Sequence, residues 1–400
     1  MKKIGIVTMV GCDNYGNLFQ NYAVKKILEN MGYEAYTLNN NIRENKVKSK
    51  NSFFTKLTFQ YIKAYIKLQL EIRFGCKNSK DFSFAGLFRS VINRKEFVTE
   101  KNNRLKRMKE FRSLNIPYDC RLVGTDEFPQ DEYFAFVCGS DVVWHPNYHT
   151  DKTNDFLGFA PKYKRIALAP SFGVSALPEN RKTDYLKWIN GIEYLSVRET
   201  AGAEIIKELT DREADVLTDP TLSVDAEDWK RLKKCPSDAP KGKYVLCYFL
   251  GNKTKKYNEW IESCAKSKDY ELVELVDSKD LKHYATDPNE MLWLIDNAEA
   301  VFTDSFHAVV FSIIFHTPFV AFKRVERGLE LFSRIQSILK LMKFENREFS
   351  KVDKENFDSL DFSISDKIID EEKIKTKRFL KNALEGVEAK TLELKKKFTD

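Results

Sequence analysis

The chain lacks most of the short signatures that mark common catalytic folds. Its seven cysteines, at positions 12, 76, 120, 138, 235, 247 and 264, include no C-x-x-C pair. That argues against a zinc ribbon, a thioredoxin-type motif or a disulfide framework, and it fits a reducing compartment. Five histidines in 400 residues leave little for a metal cage, and H-E-x-x-H, G-x-S-x-G and Asp-x-Asp are absent. Gly11 and Gly16 have the spacing of a phosphate-binding P-loop, but Asn17 and Leu18 stand where Lys and Ser/Thr are needed. The G-x-G-x-x-G dinucleotide fingerprint fails there too, and no run approaches the ~20 apolar residues that span a bilayer.

What is present reads as a globular chain, 42% hydrophobic and 31% charged, and long enough for two domains. The net charge of +7 is uneven: residues 41–113 hold 19 Lys/Arg against 6 Asp/Glu, a net +13, and the remainder is −6. Such a window can steer an anionic partner. Its aromatics (Phe54, Leu57, Tyr61, Ala64, Tyr65 and Leu68 mark the apolar face) fall at helical spacing and form no nucleic-acid module. We therefore expect a basic helical insertion, a solvated surface or a peripheral contact with anionic membrane, and no nucleic acid. The opening "MKKIGIVTMVGC" resembles a lipoprotein signal, but the segment after Cys12 behaves as the second half of a strand–helix unit. A first strand over Lys3–Met9 and a cytoplasmic protein are the preferred reading.

The spacing predicts a helix over Asn17–Asn30, stopped by Gly32, then a strand over Tyr33–Leu38. Further strands are expected at Phe134–Cys138, Arg165–Ala169 and Leu195–Val197, with a helix at Ala201–Leu209. A polar, proline-bearing stretch then precedes a second series, beginning "KYVLCYFLG". That series has a helix at Tyr257–Ser267, a strand at Glu271–Val276 and a helix at Pro288–Asn297. We expect an α/β fold of two lobes with a cleft between them. Residues 1–218 would form the N-terminal lobe with its insertion at about 41–113, 219–242 a linker, 243–365 the C-terminal lobe, and 366–400 a helix packing across the junction.

Ligands of open parallel sheets bind beyond the carboxyl ends of strands, so polar residues there are the candidates. In "AVFTDSFHAVVF", Asp304 or Ser305 caps a helix whose free N–H groups suit a phosphate, and His307 lies in its first turn. A capped helix with a satisfied histidine is the competing reading. His316, nine residues on, falls on the other helix face and reads as a C-terminal cap. Ser140 and Asp141 end a strand in "FVCGSDVVW", and Arg198 follows another in "LSVRETAG". Asp13, Asn14, Tyr15, Asn17 and Gln20 gather after the first strand. Each alone is more often a turn or cap; together they point to a site.

Eight segments in order resemble the polysaccharide pyruvyl transferase family over roughly residues 1–345. They are "KIGIVTM…NYGNLFQNYAV", "FVCGSDVVWHP", "RIALAPSFG", "LSVRETAGAEIIKEL", "VLTDPTLSVDAEDW", "YVLCYFLG", "DPNEMLWLIDNAEAVFTDSFHAVVFSIIFHTPFVAF" and "SRIQSIL". The resemblance implies two Rossmann-like lobes, similar to GT-B glycosyltransferases. It also implies transfer of pyruvate from phosphoenolpyruvate to two hydroxyls of a sugar or lipid-linked oligosaccharide, with no cofactor, nucleotide or metal. By resemblance His307 is the general acid/base, Ser305 and the helix amides meet phosphate, Arg198 pairs with phosphate or carboxylate, and Lys323 contacts donor or acceptor. Asp13 through Gln20 would face the acceptor. In some branches an aspartate stands where this chain has Asn17, so Asp13 and Asn17 are the positions for a second base. A sugar-nucleotide glycosyltransferase and a non-catalytic glycan-binding protein are the alternatives on the same fold.

Overall fold

Ile4, Ile6 and Val7 leave no surface exposed, so the first strand must be covered on both faces, as parallel sheets are. The computed structural model describes residues 1–10, 14–40, 84–148, 153–278, 280–325 and 332–397. Residues 1–40 and 101–400 form one compact unit and 41–100 another. The expected amphipathic helix around Phe54–Leu68 and the candidate Asp13 lie outside the described residues.

The first sheet comprises β1 (Lys3–Val7), β2 (Glu34–Asn39), β3 (Tyr118–Leu122), β4 (Ala135–Cys138), β5 (Arg165–Ala167), β6 (Tyr194–Val197) and β7 (Asp215–Val216). All neighbouring strands are parallel, in the order β3-β2-β1-β4-β5-β6-β7. Its helices are α1 (Tyr15–Asn30), α2 (Phe84–Asn115), α3 (Lys182–Asn190), α4 (Thr200–Thr210) and α5 (Ala226–Leu232). In α1, Asn14 caps the N-terminus and Gly32, at φ 87°, takes the left-handed turn that ends it. β5 stops two residues short of the expected Ala169, which is itself left-handed at φ 50°.

The second sheet comprises β8 (Tyr244–Tyr248), β9 (Glu271–Leu275), β10 (Ala300–Thr303) and β11 (Phe319–Ala321), all parallel in the order β11-β10-β8-β9. It carries α6 (Lys255–Lys268), α7 (Pro288–Asp296), α8 (Phe306–Ile314), α9 (Phe332–Leu341) and α10 (Ser363–Lys397). His316 sits just past the end of α8 at φ 58°, and its imidazole lies 2.7 Å from Asp366. The fold is thus α/β with two parallel sheets, as expected.

Each sheet changes direction once. In the first, the strand order reverses between β1 and β4; in the second, between β8 and β10. Such switch points open a crevice beyond the strand ends because the flanking connections run to opposite faces. The two crevices are brought together by aromatic packing. Phe19 of α1 stands 4.7 Å from Phe311 of α8, and Trp229 of α5 stands 4.9 Å from Phe311. Burying each such ring stabilises by about 1.5–3 kcal/mol. The stretch expected as a linker supplies Trp229, fully buried, so it is packed rather than loose.

α10 ties the two sheets. Asp366 meets His316 near its start, Thr376 Oγ1 accepts from Ser223 midway, and Glu388 pairs with Lys2 at 2.6 Å. Leu380, Ala383, Leu384 and Val387 form its buried stripe. No helix among the described residues is long and apolar enough to cross a membrane.

Candidate functional site

The junction between β10 and α8 divides its polar residues by role. Ser305 is the N-cap of α8; its side chain accepts from the Ala308 N–H at 3.5 Å. Asp304 instead accepts from the N–H groups of Leu250 (2.7 Å) and Gly251 (2.9 Å) beyond β8, and from Arg324 Nε (3.2 Å). It clamps the loops of the second switch point together. His307, one residue into the helix, is buried and points across to the first sheet.

The imidazole packs against the start of α1. A Cβ added at Gly16 would lie 2.2 Å from His307 Nδ1, so only glycine admits the ring there. On its other side, His307 Nε2 is 3.7 Å from Asp219 Oδ2 and has no hydrogen-bond partner. Burial pushes the imidazole pKa down; Asp219 and Asp141 oppose this, while Arg198 and Arg334 reinforce it. The net shift is downward, so the ring is neutral at neutral pH.

Asp219 opens a 3₁₀ turn at Pro220–Ser223 and is fully enclosed. Its carboxylate accepts from Thr221 N (3.1 Å), Thr221 Oγ1 (2.8 Å) and Arg198 Nη1 (2.8 Å), with Ser140 Oγ at 3.4 Å. Burial pushes its carboxyl up, but His307 in its charged form, Arg198 and the Thr221 donors pull it down, and the net lies below the usual range. Arg198, directly after β6, also pairs with Glu199 at 2.9 Å and lies 4.7 Å over the Phe306 ring. Burial opposes its charge, and Glu199, Asp219 and Asp141 more than restore it. Arg334 of α9 reaches Asp141 Oδ1 at 3.4 Å and faces the same Phe306 ring. Asp141 is held left-handed, at φ 68°, by the sharp exit from β4.

His307 Nε2, Arg198 Nη2 and Arg334 Nε are each buried without a hydrogen-bond partner. An unmade bond of this kind costs about 1–3 kcal/mol, more for a charged group. Three in one cluster, next to the positive ends of α1 and α8, form a cradle suited to an anion.

The sequence candidates divide accordingly. His307, Arg198, Ser140 and Asp141 share the cluster, and Ser305 caps the helix that carries His307. Asn14 accepts from Gly16 N at 2.8 Å, shaping the turn on which the imidazole rests. Asn17 is buried in the first turn of α1. Gln20 is fully enclosed and donates to Thr8 Oγ1 (2.7 Å) and Asn17 O (3.1 Å), so it braces the site from within. Tyr15 is likewise buried, its hydroxyl donating to Thr286 O at 2.6 Å. Lys323 is exposed; its neighbour Arg324 makes the contact to Asp304. The sequence reading missed Asp219, Arg334, Arg324 and the role of Gly16. Asp219 begins the proline-bearing stretch taken for a linker, and Arg334 stands in "SRIQSIL" without any strand end to mark it.

A family model described as polysaccharide pyruvyl transferase matches residues 14–324, which include every described member of the cluster except Arg334. Comparison with curated proteins returns no match. Among solved structures, Acinetobacter baumannii MurG aligns at TM-score 0.40 and 10% identity, covering 97% of this chain and 100% of that one. The wall teichoic acid polymerase TagF aligns at TM-score 0.41 and 12% identity, covering 100% and 90%. The UDP-GlcNAc 2-epimerase from Neisseria meningitidis aligns at 0.39 and 10%, covering 94% and 100%. Matched over more than three quarters of its length, the chain belongs to the polysaccharide pyruvyl transferase family.

Proposed function

We propose that this protein moves the pyruvyl group of phosphoenolpyruvate onto two hydroxyls of a polysaccharide or its precursor, releasing phosphate and leaving a cyclic ketal. The observation that carries the reading is the cluster of unpartnered nitrogens on His307, Arg198 and Arg334. Phosphoenolpyruvate brings two oxyanions to one small carbon frame, and guanidinium forks and helix amides complement both. Its arrival supplies negative charge beside His307 and favours the imidazolium.

The imidazolium then gives its proton to the methylene carbon, and the enol ether becomes an oxocarbenium at C2. The first sugar hydroxyl adds to C2 and returns a proton to His307. That proton leaves with the phosphate as the bond between C2 and the bridging phosphate oxygen breaks, which restores an oxocarbenium at C2. The second hydroxyl closes the ketal and reprotonates the imidazole. Asp219, ionised and 3.7 Å away, stabilises each cationic state of the ring. The residues following β1, on the N-terminal lobe, would meet the acceptor.

The test is phosphate release from phosphoenolpyruvate with a panel of surface glycans, alongside His307→Ala. Release that requires acceptor and disappears in the variant supports the reading. Thermal stabilisation by a nucleotide-sugar, with none by phosphoenolpyruvate, sinks it in favour of glycosyl transfer.

A further inference from the structure

Among the described residues, four guanidiniums lie around the two crevices, and three of them have carboxylate partners. Arg198 meets Asp219 and Glu199, Arg334 meets Asp141, and Arg324 meets Asp304. Arg104 of α2 is different. It is largely buried, its charge centre lies 4.9 Å over the Tyr15 ring, and its Nε has no hydrogen-bond partner. Burial works against its charge, and the groups that chiefly support it are the phenols of Tyr15, Tyr248 and Tyr284. Among the described residues no carboxylate forms an ion pair with it.

The carboxylates in this neighbourhood are already committed. Glu290 takes Arg107, one turn further along α2, at 2.8 Å, and accepts from the Asp287 N–H. Asp287 caps α7 by accepting from Glu290 N at 2.8 Å. Phenols at neutral pH are not anions, and burial raises Tyr15 and Tyr248 further still. A ring face attracts a cation weakly compared with a counter-ion in the same low-dielectric setting. Arg104 is therefore a largely buried charge for which the described residues supply no carboxylate partner.

Its position says what that opposite belongs to. Tyr15 precedes Gly16, on which His307 rests, and Tyr248 ends β8 at the second switch point. Arg104 is not among the charges that dominate at His307, where Arg198 and Arg334 act. A donor with two oxyanions is served by that pair. We infer that Arg104, with Tyr15 and Tyr248, forms a second anion subsite, which holds an oxyanion carried by the acceptor sugar, either a phosphate ester or a carboxylate. The assignment to the acceptor rests on the pyruvyl-transfer reading; the existence of the subsite does not. A guanidinium fork suits either oxyanion.

Calorimetric titration separates these points. Glucose, glucose 1-phosphate, glucuronate, inorganic phosphate and phosphoenolpyruvate are each titrated into the wild type, Arg104→Gln and Arg104→Lys. At least one anionic sugar should bind the wild type about tenfold or more tighter than glucose, the discrimination of one charged hydrogen-bonded pair. Arg104→Gln should lose that difference, Arg104→Lys should keep part of it, and both should bind phosphoenolpyruvate as the wild type does. Which sugar responds identifies the oxyanion, and a response matched by inorganic phosphate alone would show that no sugar is read and overturn the acceptor assignment. Equal discrimination in Arg104→Gln, or a matching loss of phosphoenolpyruvate binding, overturns it too. Arg104→Gln should also melt no lower than the wild type, because it removes a largely buried charge with no carboxylate partner among the described residues. A clear fall in melting temperature, or failure to fold, would make Arg104 a structural cation and end the proposal. Absence of phosphoenolpyruvate binding in every protein would sink the donor reading while leaving the sugar arms to judge the subsite.

Discussion

Gly16→Ala opposes two effects of known sign. Gly16 lies in the first turn of α1, where alanine ordinarily stabilises a helix by about 0.5–1 kcal/mol relative to glycine. Here the new Cβ would lie 2.2 Å from His307 Nδ1, 2.7 Å from Cε1 and 2.9 Å from Cγ. Carbon contacts settle near ~3.5–4.0 Å, so the ring or the helix must give way by more than about 1 Å. The ring is enclosed by Asp219, Phe306 and the α1 turn, and overpacking of this kind costs about 1–3 kcal/mol. We expect a net loss of roughly 0.5–2 kcal/mol, read as a lower urea midpoint at unchanged slope. Turnover should suffer more, by about 10²-fold, since an ångström of misplacement at a reacting group has that effect. Urea titration with phosphate release on the same preparation measures both. A variant more stable than the wild type and fully active would refute the contact between α1 and His307, and with it the geometry of the site.

Three further outcomes follow from the same cluster. His307→Gln should lower turnover by about 10²–10⁴-fold. It should also flatten the acid side of the stability curve. The folded pKa lies below the unfolded ~6.5, so the wild type keeps full stability above about pH 6.5 and loses it as pH falls toward the folded value. Denaturant titrations at several pH values between 5 and 8 check this, and parallel slopes for the two proteins would contradict it. Asp219→Asn preserves shape but leaves Arg198 with Glu199 as its remaining close partner; a loss of about 3 kcal/mol is expected in chemical denaturation. Phe311→Ala opens the contact between α8, Phe19 and Trp229 and should cost about 3–5 kcal/mol, with lowered activity because it loosens the packing that holds the crevices together.

Much of this architecture is legible in local pattern. The apolar run ending at Val7, the helical spacing from Leu18 to Leu28 and the stop at Gly32 mark the first unit because burial and backbone freedom act within a few residues. Ser305 and His307 are legible for the same reason: a strand end, a cap and a first turn are contiguous. β3 and β7 were not legible, since Tyr118–Leu122 is half-exposed and Asp215–Val216 is two residues long. Neither offers an apolar alternation. Asp219 escaped because a proline-bearing polar stretch has the composition of a linker, and only its partners Arg198 and Ser140, distant in sequence, make it interior.

By itself, the sequence determined the α/β class, the two parallel series and the family, and it singled out His307 and Arg198. These rest on periodicity, caps and ordered motifs, all of which operate along the chain. Tertiary structure alone decided what His307 faces. The distance from Gly16 or Asp219 to His307 is hundreds or tens of residues in sequence and one van der Waals contact or 3.7 Å in space. Strand order sets that meeting, because each sheet reverses at one point and packing brings the two reversals together. Burial then converts ordinary residues into unusual ones: a neutral histidine, an ionised enclosed aspartate, and an arginine at 104 with no counter-ion among the described residues. Desolvation depends on everything packed around a group, and no stretch of sequence states it.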